Sequence, residues 1–193
     1  MTAITVKPPI GRRAALAALS AHLLVALIAL VGIGGATRVM EAGLACPDWP
    51  LCYGSLLPGR QMNLQVFLEW FHRLDAFVVG MGLLVQATLS TFWRRELPRA
   101  VPWLSGSALL LVAVQGGLGA LTVTLLLPFS VVTAHLVTAL LLVVLLSACT
   151  QVLLEPSTSA KAPQASRFSL DQLWPGLVGV VALLALGQCL LGG

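Results

Sequence analysis

Charged residues are scarce in this chain. Lysine, arginine, aspartate and glutamate make up 9% of its 193 residues, whereas soluble globular domains carry about 25%. Apolar residues reach 58%, and the mean hydropathy is +0.95. Because so few charges cannot cover the surface of a water-soluble globule, the composition excludes an ordinary soluble protein and indicates an integral membrane protein.

Long polar segments are also missing, which excludes a separate soluble domain. The net charge of +4 is small and is spread over short segments between apolar runs. It is better interpreted as a topology signal than as a nucleic-acid surface. The three histidines and four cysteines do not supply the three or four closely spaced ligands that zinc needs. We therefore expect a lipid bilayer as the environment and no nucleic-acid partner.

The sequence contains apolar runs long enough to cross the hydrocarbon core, which takes about 20 helical residues. They predict an all-α polytopic membrane protein, with a four-helix transmembrane bundle over residues 14–154 and a fifth span. The predicted spans are Ala14–Gly35, Leu64–Trp93, Val101–Leu127, Val131–Leu154 and Leu173–Leu191. Pro128 to Ser130 are predicted as a short turn between the third and fourth spans. Residues 1–13 are a lead, 37–63 a loop and 155–172 a linker, and residues 173–193 contain the fifth span.

Basic residues predict the orientation of the chain. Most of them lie in the lead, in the turn after the second span and in the linker, and these segments belong on the cytoplasmic side by the positive-inside rule. The N-terminus is therefore expected in the cytoplasm and the loop 37–63 outside, in a bacterial plasma membrane or an equivalent membrane. The basic residues on the cytoplasmic side are Lys7, Arg12, Arg13, Arg94, Arg95, Arg99, Lys161 and Arg167.

The second span contains ionisable residues that lipid does not tolerate. Glu69, His72, Arg73 and Asp75 lie within seven residues, and a charge in the hydrocarbon costs at least about 2.5 kcal/mol. At helical spacing, Glu69 shares a face with His72 and Arg73. This face is expected to look towards a protein interior, a bound polar ligand or the interface. The two interpretations are a ligand or catalytic site and a simple ion pair between Glu69 and Arg73.

A second intramembrane histidine, His135, lies in the fourth span at about the depth of His72. Two neutral imidazoles that face each other across a four-helix bundle can bind haem iron axially. The competing interpretation is that both are hydrogen-bonded groups in a packed core. Equal depth and the nearby Glu69 favour the haem site. His22, alone in the first span, is interpreted as a packed or interfacial residue.

Cys46 and Cys52 lie in the loop 37–63, with two prolines between them. The compartment predicted for this loop permits a disulfide, which would close a small ring with a modest gain in stability. A structural and a redox-active disulfide both remain open. The spacing differs from the Cys-x-x-Cys of zinc and thioredoxin-like sites. Cys149 and Cys189 lie in predicted spans and are interpreted as packing residues.

Glycine-rich segments form a weak internal repeat in the first, third and fifth spans, at Gly32–Gly35, Gln115–Gly119 and Gly187–Gly193. Small residues allow helices to approach closely, or a flat ligand to lie against the backbone. Both interpretations remain open.

Four segments resemble the haem A synthase family of cytochrome oxidase assembly proteins. They are Gly34–Arg38, Gly43–Gly54, Glu69–Arg73 and Thr133–Leu136, and the second and third are specific in combination. The resemblance runs over about residues 14–154, and the fifth span, residues 173–193, looks like the start of a truncated second half. It implies eight spans in two pseudo-symmetric four-helix bundles, and an oxidoreductase that oxidises a methyl group of haem O to a formyl group, with water as the oxygen source.

The resemblance also implies roles for individual residues. His72 and His135 would be axial ligands of the iron of the substrate haem O, and Glu69 would be the catalytic acid beside the methyl group. Cys46 and Cys52 would be the outer-loop pair, with a redox or a stabilising role. The implied partners are haem O, the farnesyltransferase that produces it and other oxidase assembly factors. The alternative function is a non-catalytic haem-binding assembly factor or a b-type electron carrier.

This sequence departs from the family in its length. The second bundle, which holds a haem b site in the family, is not in this sequence. The chain is accordingly interpreted as a fragment, a half-length form that pairs with itself or a partner, or a degenerate copy. A glycine-rich fifth span would be a natural contact in a homo-oligomer.

Overall fold

The computed structural model describes residues 11–155, which form a bundle of four long helices. These are α1 Arg12–Val39, α2 Leu64–Phe92, α3 Ala100–Thr124 and α4 Phe129–Leu154, and a single 3₁₀ turn, Gly59–Gln61, lies between α1 and α2. All four are long and apolar enough to cross a membrane. The predicted all-α membrane fold with four spans is confirmed. The predicted fifth span and residues 156–172 of the linker lie outside the described residues.

The four helices form a closed ring in which each packs against two neighbours. α1 contacts α2 and α4, and α3 contacts the same two helices. The short connections after α2 and α3 make consecutive helices antiparallel neighbours. At the end of α1, the side-chain amide of Gln65 donates to the carbonyl group of Met40 at 3.1 Å, which joins the two ends of the connection 40–63. α2 and α4 therefore lie diagonally across the bundle.

The core is packed in the middle of the bundle and in the half away from the connection 40–63. Two clusters of buried apolar side chains fill these regions. Hydrogen bonds between helices lie among them, from Ser20 Oγ to Thr150 Oγ1 at 2.8 Å and from Gln86 Nε2 to Ser105 Oγ at 3.4 Å. Close packing and such hydrogen bonds hold helices together where lipid weakens the hydrophobic drive for association. The packed half of the bundle therefore fixes the positions of the four helices, and the candidate site lies in the half that carries the connection 40–63.

The prediction that the first span ends at Gly35 and the loop begins at Thr37 was wrong. α1 continues to Val39 through Gly32, Gly34 and Gly35, because glycine lowers helix propensity by only about 1 kcal/mol per residue. Thr37 Oγ1 donates to the Gly34 carbonyl at 2.7 Å within the helix. The helix ends where Glu41 adopts a φ of 53°, a left-handed conformation that terminates an α-helix.

The prediction for the third span and its turn was also wrong by a few residues. α3 ends at Thr124, before the predicted Leu127, and Leu126 and Leu127 both have a φ of 59°. α4 begins at Phe129, so Phe129 and Ser130 are helical rather than part of the turn. Pro128 precedes the helix, where its missing N–H costs no helical hydrogen bond. The start of α2 at Leu64 agrees with the prediction.

Candidate functional site

His72 and His135 lie on the diagonal helices α2 and α4, near the end of the bundle that carries the connection 40–63, called the loop end below. His72 is eight residues after Leu64 and His135 six residues after Phe129. These spacings place them about 9–12 Å along their helices. Because α2 and α4 are diagonal in the ring of helices, the two histidines lie on opposite sides of the bundle at similar depth. The structure therefore places both predicted ligands in the same end of the bundle.

Each imidazole carries a buried nitrogen without a partner. Within residues 11–155, the Nδ1 atoms of His72 and His135 are buried and accept or donate no hydrogen bond. Buried polar atoms are nearly always hydrogen-bonded, so each exception needs an explanation such as a ligand, an ion or a water molecule. The packed-core interpretation, in which both histidines are satisfied groups, does not account for these atoms.

A glycine on the preceding helix lies against each imidazole. A Cβ atom at Gly34 would lie 3.0 Å from Cε1 of His72, and one at Gly119 would lie 3.6 Å from Cε1 of His135. The glycine-rich segments of α1 and α3 thus make room for the two rings. Together with the unpartnered nitrogens, this space makes the site suitable for a flat group bound between two imidazoles.

The loop end contains few fully buried apolar side chains. Every residue of α4 from Val131 to Leu140 is only partly buried. Gln115 of α3 is buried there, and its Nε2 donates to the His135 carbonyl at 3.0 Å while its Oε1 accepts from Thr138 Oγ1 at 3.2 Å. Gln115 was not predicted from the sequence as a site residue. The available signal was an amide side chain within an apolar span, where polar groups are uncommon.

Glu69 and Arg73 form the ion pair that was the alternative interpretation of this stretch. Glu69 Oε1 accepts from Arg73 Nη2, and the two side chains are only 6% and 15% exposed. The second carboxylate oxygen, Oε2, accepts from the backbone N–H of Cys46 at 2.7 Å. Both oxygens of Glu69 are therefore engaged, one turn of α2 away from His72.

The connection 40–63 is held on α2 through Arg73. Its Nη1 donates to the carbonyl groups of Asp48 and Leu51, both at 2.6 Å. On either side of these two residues, the buried Cys46 and Cys52 are joined by a disulfide, and their Cα atoms are 4.8 Å apart. The cysteine loop, defined as residues 46–52, is thus attached to α2 beside the candidate site.

The remaining singled-out residues lie outside this arrangement. His22 is exposed on α1, and its Nδ1 lies 2.6 Å from the carbonyl oxygen of Ala18 in the same helix. Asp75 is partly buried and forms no ion pair in the part of the chain that the structure describes. Cys149 is buried in the opposite half of the bundle, near Ser105. Cys189 lies outside the described residues.

Over residues 11–155, no group of three or more His, Cys, Asp or Glu side chains could hold a metal ion. Haem iron is a different case, because the porphyrin supplies four of its ligands and the protein supplies only the axial ones. Two histidines are therefore sufficient for a haem and insufficient for a bare zinc ion.

Removal of the disulfide is expected to destabilise the cysteine loop modestly. The ring has a sequence separation of 6, for which loop-closure entropy predicts a loss of about 2 kcal/mol when Cys46 and Cys52 are both replaced by serine. The measurement is reversible unfolding in mixed detergent. Alkylation and mass spectrometry without reductant provide the control, with the thiol of Cys149 as the internal reference. Finding Cys46 and Cys52 both alkylated would contradict the disulfide.

Comparison with known proteins identifies related sequences. The family described as "Cytochrome oxidase assembly protein" matches residues 17–193. The chain is 35% identical over 186 residues to the haem A synthase of Shewanella oneidensis, covering 88% of this chain and 53% of that protein. It is 30% identical over 199 residues to the haem A synthase of Sphingopyxis alaskensis, covering 86% of this chain and 54% of that protein.

A shorter similarity involves a differently named protein. The chain is 33% identical over 93 residues to a protohaem IX farnesyltransferase of Halobacterium salinarum, covering 48% of this chain and 20% of that protein. No solved structure matches the chain. The chain spans about half the length of the haem A synthases that it matches.

Proposed function

Because the chain belongs to the family of cytochrome oxidase assembly proteins, we propose that it acts in haem A biosynthesis and binds haem O between His72 and His135. The observation that carries the proposal is the pair of imidazoles at similar depth on diagonal helices, each with a buried nitrogen that lacks a partner within residues 11–155. The similarity to haem A synthases over most of the chain supports the same substrate class.

The proposed reaction is the oxidation of one porphyrin methyl group to a formyl group. The net change consumes a water molecule as the oxygen source and releases protons and electrons, so it needs a proton acceptor near the methyl group and an electron acceptor in the membrane. The iron porphyrin supplies the electron-transfer chemistry when it is bound. The protein residues hold the haem, orient its rim and accept protons.

Glu69 is the proposed proton-accepting residue. It lies one turn of α2 from His72, so its side chain would be among the residues of α2 nearest to a haem held by His72. Its two oxygens accept from Arg73 Nη2 and from the backbone N–H of Cys46, so the guanidinium of Arg73 lies beside the carboxylate. An ionised carboxylate can accept protons and can stabilise positive charge that develops on the oxidised carbon.

Glu69→Gln is expected to leave haem binding intact and to lower haem A formation by about 100-fold or more, the usual contribution of a general base. The measurement is extraction of the pigments after co-expression with a source of haem O. Asp75→Asn is the matched control, because it removes a carboxylate from the same helix outside the ion pair, and it should retain haem A formation. Haem A at the wild-type level in Glu69→Gln would contradict the proposed role.

A non-catalytic haem-binding factor or b-type carrier is the second candidate. The observation that favours it is the engagement of both Glu69 oxygens in attaching the cysteine loop. In that case the histidines would bind haem and Glu69 would only stabilise the loop. The experiment above separates the two, because a carrier shows a Soret band without haem A in the wild type.

The proposed partners are a haem O-producing enzyme and a second protein chain. The similarity to part of a protohaem IX farnesyltransferase supports a haem-processing partner. Another copy of the chain is the second proposed partner. The N-terminus is proposed to lie in the cytoplasm and the cysteine loop outside, where the disulfide is chemically favoured.

A further inference from the structure

The ends of α1 and α3 have the same local structure. Thr37 Oγ1 donates to the Gly34 carbonyl and Thr122 Oγ1 donates to the Gly119 carbonyl, both at 2.7 Å. Both helices then end with a residue at positive φ, 53° at Glu41 and 59° at Leu126. All three pairs of corresponding residues are 85 positions apart in the sequence.

The backbone hydrogen bonds that close these two ends also correspond. The N–H of Ala42 donates to the Thr37 carbonyl at 2.7 Å, and the N–H of Leu127 donates to the Thr122 carbonyl at 2.8 Å. The N–H of Met40 donates to the Ala36 carbonyl, and the N–H of Leu125 donates to the Leu121 carbonyl, both at 3.0 Å. The segments 34–42 and 119–127 are therefore two copies of one helix ending.

Each copy supports the histidine of the following helix. The first glycine of each segment, Gly34 or Gly119, lies against His72 or His135 respectively. The hairpins α1–α2 and α3–α4 thus present their histidines in the same way. The two hairpins share one arrangement. Each has a glycine, a threonine three residues later in the same helix, and a histidine on the next helix.

The two copies restrain their histidines differently. The space at Gly34 is tight, with 3.0 Å from a Cβ to His72, whereas 3.6 Å at Gly119 is an ordinary contact with His135. Four residues before Gly119 is Gln115, which donates to the main-chain carbonyl of His135. The corresponding position before Gly34 is Leu30, whose side chain cannot donate, although its main chain interacts with the ring of His72.

We propose that Gly34 and Gln115 are the positioning residues of the two histidines. Gly34, because it has no side chain, leaves the space that the His72 ring occupies, and Gln115 holds the backbone of His135 by a hydrogen bond. The inference rests on the proposed function in treating the histidines as haem ligands. The contacts themselves belong to the protein and can be tested without haem.

Gly34→Ala is the first test, with Gly35→Ala as its matched control. A Cβ at Gly35 meets no atom within 4 Å, so both substitutions have the same effect on helix propensity and only one alters the contact with His72. In the haem-free protein, the rate of carbethoxylation at His72, followed by mass spectrometry, should change about threefold or more in Gly34→Ala. Gly35→Ala and Gly119→Ala should match the wild type.

Gln115→Leu is the second test, because it gives α3 the residue type that α1 has at this position. The carbethoxylation rate at His135 should change, while that at His72 should not. Gln86→Leu is the control, since Gln86 is a buried glutamine in the opposite half of the bundle. The inference would be overturned if Gln115→Leu left the rate at His135 unchanged. It would also be overturned if Gly34→Ala and Gly35→Ala changed the rate at His72 equally.

The haem-loaded protein gives an independent readout. The low-spin electron paramagnetic resonance signal reports the orientation of axial imidazoles, and it should shift in Gly34→Ala and stay constant in Gly35→Ala. A wild-type protein that binds no haem would refute the proposed function, while the carbethoxylation rates would still decide the inference. If the Gly34→Ala protein fails to accumulate, adding His72→Asn should restore accumulation, because asparagine is smaller than histidine. Failure of the double variant to accumulate would also overturn the inference.

Discussion

Replacing His72 with alanine is expected to remove bound haem from the purified protein almost completely. His72 is one of two proposed axial ligands, and its loss leaves a single imidazole, His135, to hold the iron. Loss of residues that only orient a ligand typically costs about 10–100-fold in metal affinity, so loss of a ligand should lower the haem content by at least that factor. His135→Ala should have the same effect. The measurement is the pyridine haemochrome absorbance per mole of protein, together with the Soret band.

His22→Ala is the matched control for this experiment. His22 is also a histidine in a membrane-spanning helix, but it is exposed, and its ring contacts the Ala18 carbonyl of its own helix. Its replacement should leave the haem content at the wild-type level. A His72→Ala protein with undiminished haem would refute the proposed site, and equal losses in all three variants would indicate a general effect on folding.

Arg73→Ala is expected to destabilise the protein by about 3–5 kcal/mol, the cost of removing one partner from a buried ion pair. Three effects of the substitution all lower the stability of the folded protein. The carboxylate of Glu69 remains buried at 6% exposure without its counterion, and the carbonyl groups of Asp48 and Leu51 lose their donor. The cysteine loop also loses its main attachment to α2. Reversible unfolding in mixed detergent measures the change.

Arg12→Ala provides the comparison for Arg73→Ala. Arg12 pairs with Glu96 at the other end of the bundle, but the two side chains are 56% and 55% exposed. Exposed ion pairs contribute about 0–1 kcal/mol, so this variant should be close to the wild type. Adding Glu69→Gln to Arg73→Ala should recover part of the loss, because the unpaired charge is removed. A double variant less stable than Arg73→Ala alone would contradict the ion-pair explanation.

The sequence was sufficient to predict the four spans, because about 20 consecutive apolar residues have few other uses. It was not sufficient to predict where α1 and α3 end. The visible signal was glycine at Gly34 and Gly35, yet these residues are helical, and the chain turns at Glu41 and Leu126. Positive φ is uncommon for residues other than glycine. The residue types at Glu41 and Leu126 therefore give no indication that the helices end there.

The candidate site, too, could be predicted only in part. Glu69 and Arg73 are four residues apart, so helical spacing alone brings them together. The partners of the loop could not be predicted, since Arg73 binds main-chain carbonyl groups and Glu69 binds a main-chain N–H. Every residue carries such groups, so no pattern of side chains indicates which of them are used. The hydrogen bond from Gln115 to the His135 carbonyl was hidden for the same reason.

The diagonal placement of α2 and α4 bears on how a bound porphyrin would leave. One imidazole belongs to each helical hairpin, and α2 and α4 are not neighbours in the ring of helices. A slight parting of the two hairpins along either seam would therefore draw the imidazoles apart and open a sideways exit into the lipid. Delivery to an acceptor in the same membrane would then require a hinge motion and no unwinding of any helix.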